Sequence, residues 1–298
     1  MEITASSVKE LREKTGAGMM DCKKALGETA GDFEKAVDYL RKKGMASAAK
    51  KAGRATKEGT IHALASADGK ASVLLELNCE TDFVAKTDQF KNFVNEVSSQ
   101  IAVANPKDVP ELLTQKFFTN SAVTMDEKLK EAIATLGENM AITRFARFAL
   151  TPGTETVSYI HAGGKVGVLV EFATIKGKEP AFAEYARNVA MHIAAVMPQY
   201  VNPSEVPAEM VAKEKEIAIA QMQASGKPAN VLEKIAEGKI NKFYEDTCLI
   251  KQSYVKDPGK SIDAYTSETS KTLGAPITIN RFARFVLGEG AKTESEAN

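Results

Sequence analysis

The chain has 298 residues, 44% of them hydrophobic, which suits a globular protein with packed cores and two or more domains. With 39 Lys plus Arg against 39 Asp plus Glu, the formal charge is zero, which counts against direct nucleic-acid binding. No apolar run reaches the roughly 18–20 residues of a membrane span, Met1-Glu2-Ile3-Thr4 lacks signal character, and Cys22, Cys79 and Cys248 lack metal or disulfide spacing, so a cytoplasmic chain without metal or cofactor is expected.

Residues 1–55 read as helices alone. Val8 and Leu11 stand at helical spacing, Thr15-Gly16-Ala17-Gly18 interrupts, and Met19, Met20, Cys22 and Leu26 form a second helix. Asp32 is a helix cap, Phe33, Ala36, Val37 and Leu40 follow with period 3.6, and Gly44 is expected to end the run. Met45 to Arg54 then reads as a linker.

A first core repeat is expected over 56–150. Thr60–Ala65 and Ser72–Asn78 are strand-like around an Asp68-Gly69 turn. Phe90, Phe93, Val94, Val97 and Ile101 mark a helix face. Thr124 and Glu127 form a capping box for a helix through Leu129, Ile133 and Leu136, and a strand follows from Ile142 to Leu150.

That strand carries Arg144-Phe145-Ala146-Arg147-Phe148, which recurs as Arg281-Phe282-Ala283-Arg284-Phe285. Other strings recur too: Gly69-Lys70 and Val73–Leu77 as Gly164-Lys165 and Val168–Phe172, a shift of 95 (164 − 69). Phe90, Phe93, Val97, Ile101 and Pro106 recur as Phe182, Tyr185, Val189, Ile193 and Pro198, a shift of 92 (182 − 90), while the Arg-Phe strings are 137 apart (281 − 144). The difference places an insertion of 45 residues (137 − 92) in a second core repeat over 151–288. Two helices around Gly226-Lys227-Pro228, at about 208–247, form it as a helical hairpin, and 289–298 is a polar tail.

No catalytic constellation is found. His62, His161 and His192 have no Ser, Cys or carboxylate neighbours at motif spacing, and nucleophile-elbow, zinc-helix, P-loop and dinucleotide-loop motifs are absent. The most unusual string is Asn78-Cys79-Glu80-Thr81-Asp82-Phe83-Val84-Ala85-Lys86. Two readings stand: Phe83 is tucked beneath the next helix with Thr81 or Asp82 as its cap, or it is an exposed aromatic anchor beside a charge. Met19 and Met20 read as core, yet two adjacent residues of one helix cannot both face one core. The Arg-Phe strings read as structural, with Phe buried and Arg in solvent or ion-paired. The hairpin's apolar stripe is its own seam or a docking surface, which leaves open a scaffold, or a homodimer formed through the hairpin.

Leu11-Arg12-Glu13-Lys14-Thr15-Gly16-Ala17-Gly18-Met19-Met20-Asp21-Cys22-Lys23-Lys24-Ala25-Leu26, the Asn78–Lys86 string and Ala190-Met191-His192-Ile193-Ala194-Ala195 resemble the elongation factor Ts family in order and spacing over about residues 1–290. The resemblance implies an α+β protein: a ubiquitin-associated-like three-helix domain, a duplicated core with antiparallel strands, and a coiled-coil hairpin in the second repeat. It implies exchange of guanine nucleotide on elongation factor Tu, GDP-bound or nucleotide-free, by protein–protein binding and not by enzymatic catalysis. It places Thr81, Asp82, Phe83 and Val84 against the magnesium region of Tu, Leu11, Arg12, Met19 and Met20 against another helix of the same domain, and His192 in a further contact. Members of the family carry a helical module after the last core strand, where this chain has Gly288-Glu289-Gly290 and eight polar residues; contacts of that module are not carried over.

Overall fold

The computed structural model describes residues 3–223 and 229–290, so the expected Gly226-Lys227-Pro228 turn and the tail from 291 to 298 lie outside the described residues. The described residues group into two compact units, one from 3–147, 162–166 and 285–290, the other from 148–161, 167–223 and 229–284. The fold is mixed helix and antiparallel sheet.

The first unit opens with α1 (Ala5–Thr15), α2 (Met19–Glu28) and α3 (Phe33–Lys51). Thr4 and Asp32 cap α1 and α3 by accepting from Ser7 N and Lys35 N, and Gly16 closes α1 at φ +67°. Val8, Leu11, Cys22, Ala25, Leu26, Ala36 and Leu40 make their shared core. Gly44 does not end α3, contrary to the sequence expectation, and most of the expected linker is helix. Gly44 is buried, and a Cβ built on it would stand 3.2 Å from the Ala134 Cβ. The missing side chain lets α3 approach a later helix and is not a stop signal.

β1 (Glu58–Ala65) and β2 (Ala71–Cys79) pair antiparallel, with Ile61 opposite Glu76. Their turn is held by Ser66 Oγ, which accepts from Lys70 N and Ala71 N, and by Gly69 at φ +67°. α4 (Asp82–Ala85) is one turn long; α5 (Asp88–Ala104) presents Phe90, Phe93, Val97 and Ile101 to Val73, Leu75, Leu77 and Cys79 of β2. α6 (Val109–Thr114), β3 (Lys116–Phe117) and β4 (Asn120–Thr124) follow. These three are too short to impose a period and were not legible in the sequence. α7 (Met125–Leu136) begins at Thr124 with both halves of the capping box in place, and β5 (Met140–Ala149) completes a sheet of order β1-β2-β5.

The second unit runs β6 (Thr154–His161), β7 (Val166–Ala173), α8 (Pro180–Val196), α9 (Ala208–Gln223), α10 (Ala229–Thr247), β8 (Ser253–Tyr254), β9 (Asp257–Ser261), α11 (Ile262–Leu273) and β10 (Thr278–Val286), of which Val166, Phe285 and Val286 belong to the first unit. Its sheet has the order β6-β7-β10, so in both sheets the second hairpin strand is central. α9 and α10 pack on one another, with Ala218 and Ala236 buried. No helix among the described residues is long and apolar enough to cross a membrane.

The recurring Arg-Phe strings make matching contacts. Arg144 Nε donates to the buried carboxylate of Glu76 (2.6 Å), and Arg281 donates to that of Glu171 (2.7 Å). Arg147 and Arg284 each donate to a carbonyl near a helix C-terminus, Ala102 on α5 and Ala194 on α8. The guanidinium of Arg144 lies 4.4 Å from the ring centre of Phe285, and that of Arg281 lies 4.3 Å from Phe148.

Candidate functional site

β2 ends at Cys79, and the chain turns at Glu80 and Thr81 into α4. Every polar group of Thr81 is engaged. Its N–H and hydroxyl donate to the two carboxylate oxygens of Glu138, at 3.0 and 2.6 Å. Its hydroxyl oxygen accepts from Val84 N at 3.3 Å, capping α4, and its carbonyl accepts from the Cys79 thiol at 3.1 Å. Burial, aided by the carboxylate of Glu138, pushes the Cys79 thiol up to about 12, so it stays protonated and remains a donor.

On this fixed turn Phe83 is 79% exposed. Of the two sequence readings, the tucked core residue is therefore excluded. Val84 is partly buried against the first core and anchors the turn from below. Asp82 is not a cap, as Thr81 fills that position for α4 and Thr87 for α5. It pairs instead with Lys86 at 2.6 Å, and the Lys86 ammonium, with help from Lys165, holds the Asp82 carboxyl below its usual range. A groove of about 500 Å³ opens beside the turn, bordered by His62, Asp82, Lys86, Lys91 and Lys165. His62 Nδ1 lies 3.1 Å from Ser98 Oγ, whose own proton goes to Val94 O, so the ring donates there; burial keeps the imidazole neutral by lowering its pKa.

In the three-helix part, Met20 is 75% and Met19 43% exposed at the start of α2, and Arg12 is exposed on α1. Leu11 is fully buried, so it belongs to the core and offers no surface to a partner. Its helix face is occupied by Cys22 and Leu26.

His192 is also fully buried, in α8 of the second unit, and has no surface to offer. Its Nδ1 accepts from Val255 N (3.2 Å), which leaves the proton on Nε2, donated to Gln252 Oε1 (3.0 Å). Gln100, at the shift of 92 (192 − 100), does the same work in the first unit: Oε1 accepts from Phe118 N (2.8 Å) and Nε2 donates to Gln115 Oε1 (3.3 Å). Each residue pins a short hairpin, β3–β4 or β8–β9, whose tip carries an exposed Phe118 or Val255. A sequence string does not distinguish such a buried strut from a surface contact.

Sequence reasoning also missed Glu138 and Asn139, which follow the left-handed cap Gly137 of α7. A Glu-Asn pair after a helix end carries no chemical signature, and only the fold brings it to Thr81.

Residues 80–289 match a family model described as Elongation factor TS. Curated relatives named Elongation factor Ts include one from Trichlorobacter lovleyi, 51% identical over 99% of this chain and 96% of the relative. One from Clostridium perfringens is 48% identical over 99% and 96%, as is one from Syntrophotalea carbinolica.

Proposed function

Because this chain belongs to the elongation factor Ts family, we propose that it is the guanine-nucleotide exchange factor of elongation factor Tu in translation elongation, with the Phe83 turn as its wedge. The observation that carries this is a large aromatic ring, 79% exposed, on a turn whose first residue, Thr81, has its N–H, hydroxyl and carbonyl all bonded within the protein. A rigid, solvent-facing aromatic beside a charge has the composition of an interface anchor.

The mechanism needs no catalytic residue. An exchange factor binds the nucleotide-free state of its target more tightly than the GDP-bound state, and by linkage GDP weakens its binding by the same factor. A protein that bound both states equally would shift nothing. Phe83 enters the nucleotide domain of Tu and gains about 1.5–3 kcal/mol of apolar burial in the open form. Asp82, with Thr81 and Val84 shaping the turn around it, disturbs the magnesium and phosphate arrangement. Magnesium is held by few protein ligands and demands near-ideal octahedral geometry, so a small displacement releases it. Arg12, Met19 and Met20 grip a second helix of the same domain; Leu11 supports them from the core.

The finer architecture belongs to the same proposal. The three helices form a ubiquitin-associated-like module, and the matching strand orders, Glu–Arg pairs and Gln100/His192 struts support an internal duplication of the core. A translation factor of this kind works in the cytoplasm. The test is release of a fluorescent GDP analogue from purified Tu, with and without this chain, at fixed magnesium. Release should rise with the concentration of the chain to a plateau; release unchanged at saturating amounts would overturn the proposal.

A further inference from the structure

Glu138 and Asn139 are adjacent in sequence but hold two different segments of the first unit. Glu138 spends both carboxylate oxygens on Thr81, through the N–H (3.0 Å) and the hydroxyl (2.6 Å). Asn139 is 7% exposed, and its Nδ2 donates to Arg54 O (2.8 Å) and Ala52 O (3.4 Å), just beyond α3. Its backbone N–H donates to Glu80 Oε1 (2.6 Å), and the Arg54 guanidinium reaches the same oxygen (3.4 Å). The exit of the three-helix part and the entry to the Phe83 turn therefore meet at one corner.

We propose that the Gly137–Asn139 corner is a positioning element, which fixes the direction of Phe83 and ties it to the three-helix part that carries Met19 and Met20. The exposed Phe83 ring has little packing of its own, so the turn is held by Val84 against the core beneath it and by the polar bonds of Thr81. The Thr81 hydroxyl has one proton and gives it to Glu138, while its oxygen accepts from Val84 N, so loss of Glu138 loosens the donor side of the same group that caps α4. A buried amide such as that of Asn139 is costly to leave unpaired, which keeps the Ala52–Arg54 segment in register. Two contact surfaces held in one geometry bind a target with less ordering cost than two loose ones. The inference rests on the reading of Phe83 as the wedge.

The experiment uses the full chain and measures fluorescent-GDP release from Tu, as plateau rate and half-saturating concentration, beside melting temperature and amide hydrogen exchange at Val84. Phe83→Ala is measured first; a normal plateau rate there would remove the wedge reading itself. Given a slow Phe83→Ala, Glu138→Gln and Thr81→Val should each speed exchange at Val84 and lower the plateau rate roughly tenfold, the scale of a lost charge-assisted bond. Thr81→Ser, which keeps the hydroxyl, should recover most of what Thr81→Val loses. Asn139→Ala should raise the half-saturating concentration several-fold, with a smaller effect on the plateau. Thr81→Val stands in if Glu138→Gln does not fold. Wild-type plateau rates in both turn variants, or no recovery in Thr81→Ser, would overturn the role of Glu138 while the wedge reading stands. An unchanged half-saturating concentration in Asn139→Ala would overturn the role of Asn139.

Discussion

The two Arg-Phe strings are identical in sequence, yet the structure predicts that their first arginines differ in worth. Arg144→Met leaves Glu76, which is fully buried, with a single remaining donor among the described residues, Gly288 N at 2.7 Å. Breaking a buried pair from one side costs about 3–5 kcal/mol, and because Arg144 is itself 30% exposed the lower end, about 3 kcal/mol, applies. Arg281→Met leaves Glu171 slightly exposed and still bonded to Asn280 Nδ2 at 3.1 Å; Arg281 is 50% exposed, so about 1 kcal/mol is expected. Both variants lose a guanidinium stacked on a ring, Phe285 or Phe148, so that loss cancels in the comparison. The difference of about 2 kcal/mol corresponds to a further drop of about 4–8 °C in melting temperature for a unit of this size. Differential scanning calorimetry of the two variants measures it, and Glu76→Gln added to Arg144→Met should recover part of the loss by removing the stranded charge. Equal losses, or a larger loss for Arg281→Met, would refute the argument from burial and remaining donors.

Gly44→Val should cost about 1–3 kcal/mol in a denaturant melt, because its side chain enters the contact between α3 and α7 where even a Cβ would meet Ala134 at 3.2 Å. His62 and His192 are held neutral by burial, below the ordinary value of 6.5, so an unfolded chain binds protons that the native one refuses. Their contribution is complete above about pH 6.5 and falls as pH drops through the window beneath it. Melting temperature should therefore decline from pH 7 to 5.5, and His192→Gln, which imitates Gln100, should flatten part of that decline. Asp82→Ala should leave the melting temperature nearly unchanged, since its ion pair is exposed and Thr81 is the cap, while slowing GDP release from Tu.

Periodicity and capping chemistry made the long elements legible. The α5 face, the Thr124–Glu127 box and the Asp68-Gly69 turn each have one local cause and were found where expected. Gly44 was misread because a glycine that ends a helix and one that admits a neighbouring helix look the same until the neighbour is known. Leu11 and His192 lie within strings that carry the family resemblance, but a string does not separate surface residues from those beneath them. The direction in which Phe83 points was likewise undecided in one dimension. The turn that carries it is bonded at Thr81 to Glu138, 57 residues away in the chain.

The central claim, that Phe83 acts on a partner and not on the fold, is tested most directly by Phe83→Ala, with melting temperature and fluorescent-GDP release from Tu measured on the same preparation. An exposed ring contributes little to folding, so the melting temperature should stay within about 1–2 °C of the wild type. The same truncation at a central aromatic anchor costs about 2 kcal/mol or more of binding, so GDP release should slow by well over tenfold. A melting temperature lowered by the amount typical of a core phenylalanine, about 3–5 kcal/mol, together with a normal release rate for the folded protein, would contradict the account.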